Sequence, residues 1–244
     1  MRRTFIRWIS VSALCILGVT GTLYITQKQG PKEVQAACEN TYEMGLYTEA
    51  SNMASSVSIQ YPIFSGNKAE EINALIMDKV QDIAQLDPLL FPENPKQTVN
   101  FQSAVTLRDS KIISIVFWGT VDIEVSQFPT TNLYPLTIDL QSLKLITLKD
   151  LYTINEDFEK IFFEKAFFPA NPVTSYDEET FPEMLKLQTS EYRSISPFTS
   201  DSMTFFLKPE GIVLSMTAVH ASGSDHFEAE LRYSDIQEYY TGKY

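Results

Sequence analysis

A run of 19 uncharged residues near the amino terminus places the strongest constraint on this chain. The run extends from Trp8 to Thr26, and Arg2, Arg3 and Arg7 precede it. A helix with a rise of 1.5 Å per residue would make this run roughly 28 Å long, about the thickness of the hydrocarbon core of a bilayer. Arginines that flank such a segment stay in the cytoplasm, so we expect the residues that follow it to lie outside the cell.

Three interpretations of the uncharged run are open. An uncleaved signal anchor, which the length of the run favours, gives a single-pass protein of the cell membrane with its C-terminal domain outside. A cleaved signal peptide, with small residues for cleavage at 34–36, gives a secreted protein. A lipoprotein anchor would use Cys38, although Gln35 stands where a lipobox has Leu.

The position of this run predicts the organisation of the rest of the chain. Residues 27–52 show no sustained hydrophobic period, which is typical of a linker. About 190 residues remain, enough to bury the core of one domain. We therefore expect a short cytoplasmic segment over 1–7, a transmembrane signal anchor or signal peptide over 8–26, a linker over 27–52 and one domain over 53–244.

Charge and composition exclude several classes of function. The chain carries a formal charge of −12, and since residues 1–27 contain three arginines and no acid, the exported part has 16 basic and 31 acidic side chains, or −15. This balance excludes nucleic acid as a partner and favours a cationic one. Two cysteines exclude a disulfide scaffold and a four-thiolate zinc site, and nine glycines leave little for a phosphate loop, so we predict no cofactor.

Hydrophobic periodicity predicts strands and helices in the first half of the exported part. Alternation over 57–61 indicates a strand that Pro62 ends. Apolar residues at helical spacing over 72–83 predict a helix that lies on a sheet. Two strands within 99–118 are separated by a short turn and predict a hairpin, and a further strand covers 136–140.

The second half continues in the same pattern. Thr153–Glu156 has the form of a capping box ahead of a helix, and another helix is predicted within 175–190. A hairpin over 203–216 precedes a strand over 227–233, and Ser234 is predicted to cap a last short helix. The fold class is therefore α+β: an antiparallel sheet with packed helices, preceded by one N-terminal transmembrane or signal helix.

Three segments together resemble a known family. They are Tyr61–Gly66, then Tyr134–Leu140 with Leu145–Tyr152, and finally Phe205–Leu214 with Leu231–Ile236. Their order and spacing resemble the extracellular domain of RsiV-like anti-sigma factors, which also occurs beside the catalytic domain of PdaC-like peptidoglycan deacetylases. The resemblance covers about residues 53–238.

The resemblance implies an α+β extracytoplasmic module of Gram-positive surface proteins. In RsiV-like proteins it implies a receptor for lysozyme, which is a cationic protein. About seven residues precede the membrane run, too few to hold a sigma factor, and no deacetylase domain is present, so neither of those activities carries over. Leu143 stands in a turn where the family usually has Gly, and because Leu does not take positive φ cheaply, we expect this turn to differ.

The loop before the last predicted strand holds the candidate site. Its polar residues, which include both histidines of the chain, are His220, Ser222, Ser224, Asp225 and His226. They are interpreted as a partner-binding loop, as metal ligands or a base near a serine, or simply as a polar connection between two strands. The spacing of the histidines is not a standard zinc spacing, so no metal or catalytic residue is assigned.

These observations favour a non-enzymatic binding or sensing module of the bacterial cell surface. The predicted partner is a lysozyme-like cationic protein or a wall-related ligand. The alternatives are a cell-envelope enzyme that acts on peptidoglycan and a structural envelope protein. Tyr239, Tyr240 and Tyr244 are predicted either as exposed contacts or as packing of the last residues.

Overall fold

A computed structural model describes residues 40–50, 56–85, 96–169, 198, 203–218 and 225–244. The predictions for the run 8–26, for Cys38 and for the helix within 175–190 concern residues outside these ranges. Among the residues so described, no helix combines the length and the apolar character that crossing a membrane requires.

The first half of the described chain forms a six-stranded sheet. Its strands are adjacent in chain order and comprise β1 (Thr41–Ala50), β2 (Ser56–Ser65), β3 (Gln97–Arg108), β4 (Ile112–Ile123), β5 (Thr130–Asp139) and β6 (Lys144–Leu145). Neighbouring strands are antiparallel except β2 and β3, which run parallel. The prediction of an antiparallel sheet is wrong for this pair, because the chain passes through a helix between the two strands and returns in the same direction.

That helix, α1 (Ala69–Ala84), covers one face of the six-stranded sheet. Its buried residues recur at helical spacing and are Ile72, Ile76, Val80, Ile83 and Ala84. They share a core with alternate residues of the strands, which include Ile59, Phe101, Ile113, Phe117 and Ile138. The stripe predicted over 72–83 is therefore confirmed as the face of α1 that packs on the sheet.

The second half forms a smaller antiparallel sheet with its own core. It consists of β7 (Thr204–Leu207), β8 (Gly211–Thr217) and β9 (His226–Arg232), with β8 in the middle. Three helices pack on it: α2 (Leu148–Leu151), α3 (Glu156–Lys165) and α4 (Tyr233–Ile236). The sheets and helices together confirm a mixed α+β fold.

The two sheets meet through a small apolar contact and a buried polar link. Val116 on β4 packs against Phe206 and Val213 of the smaller sheet. Beside this contact, the backbone N–H of Leu207 donates to the fully buried Ser114 Oγ at 2.9 Å, and this oxygen lies 3.0 Å from Thr137 Oγ1. Separating the sheets here would leave these buried polar groups without partners, which is costly. The link therefore holds the two sheets in their relative position.

The predicted linker does not extend as far as residue 52. Residues Thr41–Ala50 form β1, which pairs with β2 along its whole length. The strand β2 also continues through Pro62, which was predicted to end it. Pairing between β2 and β3 stops at Ile59, so the missing N–H of Pro62 removes no hydrogen bond on that side.

Three local predictions are wrong at the level of single residues. The cap of α3 is Asn155, whose Oδ1 accepts the N–H of Phe158 at 2.9 Å, and not Thr153. Ser234 lies inside α4, which begins at Tyr233. Leu143 adopts φ 56°, the left-handed conformation that Gly would take there, so the turn keeps this geometry despite its side chain.

Candidate functional site

The predicted polar loop is described only at its end, where Asp225 acts as a clamp between the two sheets. His220, Ser222 and Ser224 lie outside the described residues. Asp225 is 2% exposed, and its Oδ2 accepts the backbone N–H of Thr131 at 2.8 Å and the Thr131 hydroxyl at 3.3 Å. In return, the Asp225 N–H donates to Thr131 Oγ1 at 3.1 Å. The carboxylate therefore joins β9 to β5 and is engaged in structure.

His226 continues the same connection at the start of β9. Its Nδ1 lies 3.3 Å from the carbonyl oxygen of Thr131, and its Nε2 lies 3.3 Å from Glu228 Oε1. Both of these oxygens are acceptors, so a neutral imidazole can donate to only one of them. The side chain of His226 is held between the two sheets and presents its edge to a surface cleft.

That cleft, of about 550 Å³, opens where β4 and β5 extend beyond the smaller sheet. We call it the Trp118 cleft; its principal lining residues are Trp118, Thr120, Thr131, Asn132, His226 and Glu228. Trp118 is 39% exposed, although tryptophan is a residue that folding normally buries. An exposed indole beside hydroxyl and carboxylate groups is a typical anchor for a partner.

The surface beside the Trp118 cleft is acidic. Asp122 lies on the same face of β4 as Trp118 and Thr120, because alternate residues of a strand point the same way. Exposed Glu124 follows in the β4–β5 connection, and Glu228 lines the cleft itself. One basic residue, Lys96, also lies near this end, since its backbone carbonyl oxygen accepts the N–H of Glu124. One carboxylate therefore lines the cleft, and two more lie beyond it along the chain.

A larger cleft, of about 1120 Å³, lies at the opposite end of β4. We call it the tyrosine cleft, after Tyr152, Tyr233, Tyr240 and Tyr244 in its lining. The β3–β4 turn contributes Arg108 and Lys111 to the same cleft, and the β7–β8 turn contributes Pro209. Of the predicted tyrosines, Tyr240 and Tyr244 line the cleft, whereas Tyr239 packs edge-on against Phe158 with ring centroids 5.5 Å apart.

The described residues contain no cluster of side chains that could bind a metal ion. Within the described ranges, no three His, Cys, Asp or Glu side chains come together in a way that could hold an ion.

Trp118 and Tyr152 were not predicted as site residues. Trp118 ends a continuous apolar run and Tyr152 ends a short helix, so both patterns indicated core packing, and only the arrangement of the two sheets opens them to a cleft.

Comparison with known proteins defines the fold more than the function. No described protein family matches the sequence, and no curated protein matches it. A DUF3298 family protein from Bacteroides fragilis shares the fold with a TM-score of 0.53 and 13% identity, covering 86% of this chain and 96% of that chain. A DUF3298 family protein from Pseudomonas aeruginosa does so with a TM-score of 0.53 and 11% identity, covering 86% and 97%.

These structures establish that the chain has the fold seen in DUF3298 family proteins. Such a fold is compatible with the resemblance to RsiV-like and PdaC-like proteins that the sequence indicated. Identities of 13% and 11% carry no assignment of ligand or activity.

Proposed function

We propose that this protein is a non-enzymatic, extracytoplasmic binding module that takes a cationic protein on the Trp118 cleft. The observation that carries the proposal is the exposed indole of Trp118 within an acidic surface. The resemblance to RsiV-like proteins makes a lysozyme-like protein the leading partner. The location outside the cell rests on the uncharged run at 8–26, which makes the protein a single-pass membrane protein or, after cleavage, a secreted one.

Electrostatics supports this assignment of the partner. An exported domain with a formal charge of −15 attracts cationic proteins over distances of about a Debye length, roughly 8–10 Å at physiological salt. Glu228 lines the cleft with the aromatic anchor Trp118, and exposed Asp122 and Glu124 lie further along the chain. Aromatic anchors supply most of the affinity of an interface, whereas rim charges mainly set the rate of association.

The test is binding of hen lysozyme to the full chain in mild detergent, at low and high salt. We expect Trp118→Ala to weaken binding roughly 30-fold, and Asp122→Asn or Glu228→Gln to weaken it a few-fold at low salt. The matched control is Asp78→Asn, which removes an exposed carboxylate from α1 on the other face of the sheet. Equal effects of Asp78→Asn and Asp122→Asn, or no complex at low salt, would refute the proposal.

One observation favours a second candidate function, a cell-envelope enzyme that acts on peptidoglycan. His226 and Glu228 form a close pair inside the cleft, and such a pair is able to move a proton. Turnover of purified peptidoglycan by the full chain and by His226→Ala separates the candidates. Turnover that the substitution abolishes would establish the enzyme, and turnover equal to a buffer blank in both proteins would remove it.

A further inference from the structure

The tyrosine cleft contains a hydroxyl group that the described part of the protein leaves free to bind a ligand. Tyr152, at the end of α2, is only 5% exposed, and the surface it keeps opens on the cleft that it lines. Among the residues the structure describes, its hydroxyl has no hydrogen-bond partner. By contrast, the hydroxyl of neighbouring Tyr233 donates to the carbonyl oxygen of Lys208 at 2.8 Å. A ligand in the cleft could therefore accept a hydrogen bond from the Tyr152 hydroxyl without displacing one made within the protein.

Two tyrosine hydroxyls that line this cleft, those of Tyr152 and Tyr233, stay protonated. Burial raises the pKa of Tyr152 well above its ordinary value. Burial, with the nearby carboxylates of Asp109 and Glu210, raises the pKa of Tyr233 to about 12. Both phenols therefore stay protonated and uncharged at every physiological pH. Negative charge on the ligand meets no phenolate in this site.

The charged groups of the lining favour an anion, although the protein as a whole is acidic. Lys111 is exposed at the β3–β4 turn, and no ion pair of its ammonium occurs within the described part of the chain. Arg108 donates to the carbonyl oxygen of Asn40 and lies 5.7 Å from the ring centre of Tyr42. The carboxylate of Asp109 accepts the N–H groups of Lys111 and Ile112, each at 2.7 Å, and it is outnumbered by the two basic side chains of the lining.

The arrangement of the rings indicates the shape of the ligand. Tyr152 and Tyr240 have ring centroids 5.9 Å apart and planes inclined at 58°. At this distance the two rings pack against each other, so Tyr240, which is 39% exposed, is the ring of the pair that offers a face to a ligand. A sugar ring can place its C–H face on Tyr240 while its hydroxyl groups reach polar side chains. Thr106, Ser234 and Gln237 provide those neutral polar groups in the lining.

From these four observations we propose that the tyrosine cleft binds an acidic saccharide. Its sugar rings contact the tyrosines, one hydroxyl or ring substituent accepts a hydrogen bond from Tyr152, and a carboxylate lies against Lys111. A volume of about 1120 Å³ has room for more than one sugar ring. This site is separate from the Trp118 cleft, so either proposal can fail while the other stands.

Calorimetric titration of the full chain in mild detergent tests this site. The probe is a tetrasaccharide that alternates glucuronic acid and N-acetylglucosamine, and the neutral tetrasaccharide of N-acetylglucosamine is its control. We expect the acidic probe to bind at least tenfold more tightly. Adenosine monophosphate serves as a planar anionic ring, and binding tighter than that of the acidic tetrasaccharide would overturn the proposal.

Two substitutions separate the contributions of the hydroxyl and of the charge. Tyr152→Phe removes a single oxygen and is expected to weaken the acidic tetrasaccharide roughly fivefold. Lys111→Gln is expected to weaken it to a similar degree and to reduce the dependence on salt. The matched controls are Tyr61→Phe and Lys96→Gln, which lie outside the cleft and should change nothing. Equal binding of the two tetrasaccharides, no binding of either, or an unchanged affinity in Tyr152→Phe would overturn the inference.

Discussion

The Trp118 cleft and the tyrosine cleft lie at opposite ends of β4, and they differ in charge and in size. The Trp118 cleft has Glu228 in its wall and is bordered by Asp122. The tyrosine cleft is about twice as large and has Arg108 and Lys111 in its lining. One acidic chain therefore has two clefts whose charged side chains differ in sign, acidic beside Trp118 and mainly basic beside the tyrosines, which its net charge of −12 does not reveal.

The difference follows from how the smaller sheet sits on the larger one. It packs on β4 from Ile112 to Val116, and β4 continues past this contact to Ile123. At one end the exposed strand carries Trp118, Thr120 and Asp122 on a single face. At the other end the β3–β4 turn meets the end of α2 and the start of α4, which bring in the tyrosines. The polar clamp of Asp225 stabilises only the first end.

The largest effect is expected for Asp225→Ala. It leaves the part-buried N–H and hydroxyl of Thr131 without their charged acceptor, so we expect the free energy of unfolding to fall by about 3 kcal/mol. Urea denaturation measures this loss, and Asp225→Asn, which keeps one acceptor oxygen, is the milder control. The variant should impair binding at the Trp118 cleft and leave the tyrosine cleft intact. A loss below about 1 kcal/mol would show that the clamp is not structural.

Ser114→Ala is expected to rank second and to affect both clefts. The hydroxyl accepts the N–H of Leu207 and contacts Thr137 in a fully buried position, so its removal should cost about 2 kcal/mol. Because the link lies between the clefts, we expect ligand affinity to decrease at both ends. A loss of ligand affinity at only one cleft would mean that the Ser114 link does not hold both clefts in place.

The pair of Asp150 and Lys243 gives a pH-dependent test of the tyrosine end alone. A charge-assisted hydrogen bond of 2.7 Å from Lys243, and the N–H and hydroxyl of Thr147, lower the pKa of Asp150 to about 2. A carboxyl group whose pKa is lower in the folded state than in the unfolded state stabilises the folded protein when it is ionised. For Asp150 this stabilisation is complete above the unfolded-state pKa near 3.8, and it is lost as the pH falls through the folded-state pKa of about 2.

We therefore expect Asp150→Asn to cost about 1 kcal/mol at pH 7. The difference from the wild type should shrink between pH 4 and pH 2, as followed by thermal unfolding. Glu156→Gln, at an exposed position of α3, is the matched control. A difference that stays constant down to pH 2 would contradict the assigned cause.

The smallest effect is expected for Leu143→Gly, outside both clefts. Gly takes a left-handed backbone without the strain of roughly 1–2 kcal/mol that other residues incur. The substitution also removes the apolar packing of Leu143, and Gly loses more conformational entropy on folding. We expect stability within about 0.5 kcal/mol of the wild type and unchanged binding at both ends. Denaturation that shows a loss above about 1.5 kcal/mol would mean that the packing of Leu143 outweighs its strain.

The sequence predicts the regular parts of this fold because their periods arise from burial. The stripe of α1 and the apolar run that begins β4 are buried as predicted. The strand β1 escaped prediction because its alternate residues Tyr42, Met44 and Leu46 stay exposed, so pairing with β2 and not burial holds it. The parallel pairing of β2 and β3 likewise depends on contacts between residues about 40 positions apart.

The candidate site was predictable only in part. The polar residues predicted before the last strand end with Asp225 and His226, which lie where β9 meets β5. They gave no indication that Asp225 clamps the sheets or that His226 lies beside Trp118. The tyrosine cleft joins residues from β3, α2 and α4, and no local pattern connects such distant segments.

The central claim, two independent clefts of opposite preference, is tested most directly by one crossed titration. Hen lysozyme and the acidic tetrasaccharide are titrated separately into the full chain carrying Trp118→Ala or Tyr152→Phe. We predict that Trp118→Ala loses lysozyme binding alone, and that Tyr152→Phe weakens tetrasaccharide binding alone. If each substitution weakened both ligands to the same extent, the two clefts would be one functional surface and the account would be contradicted.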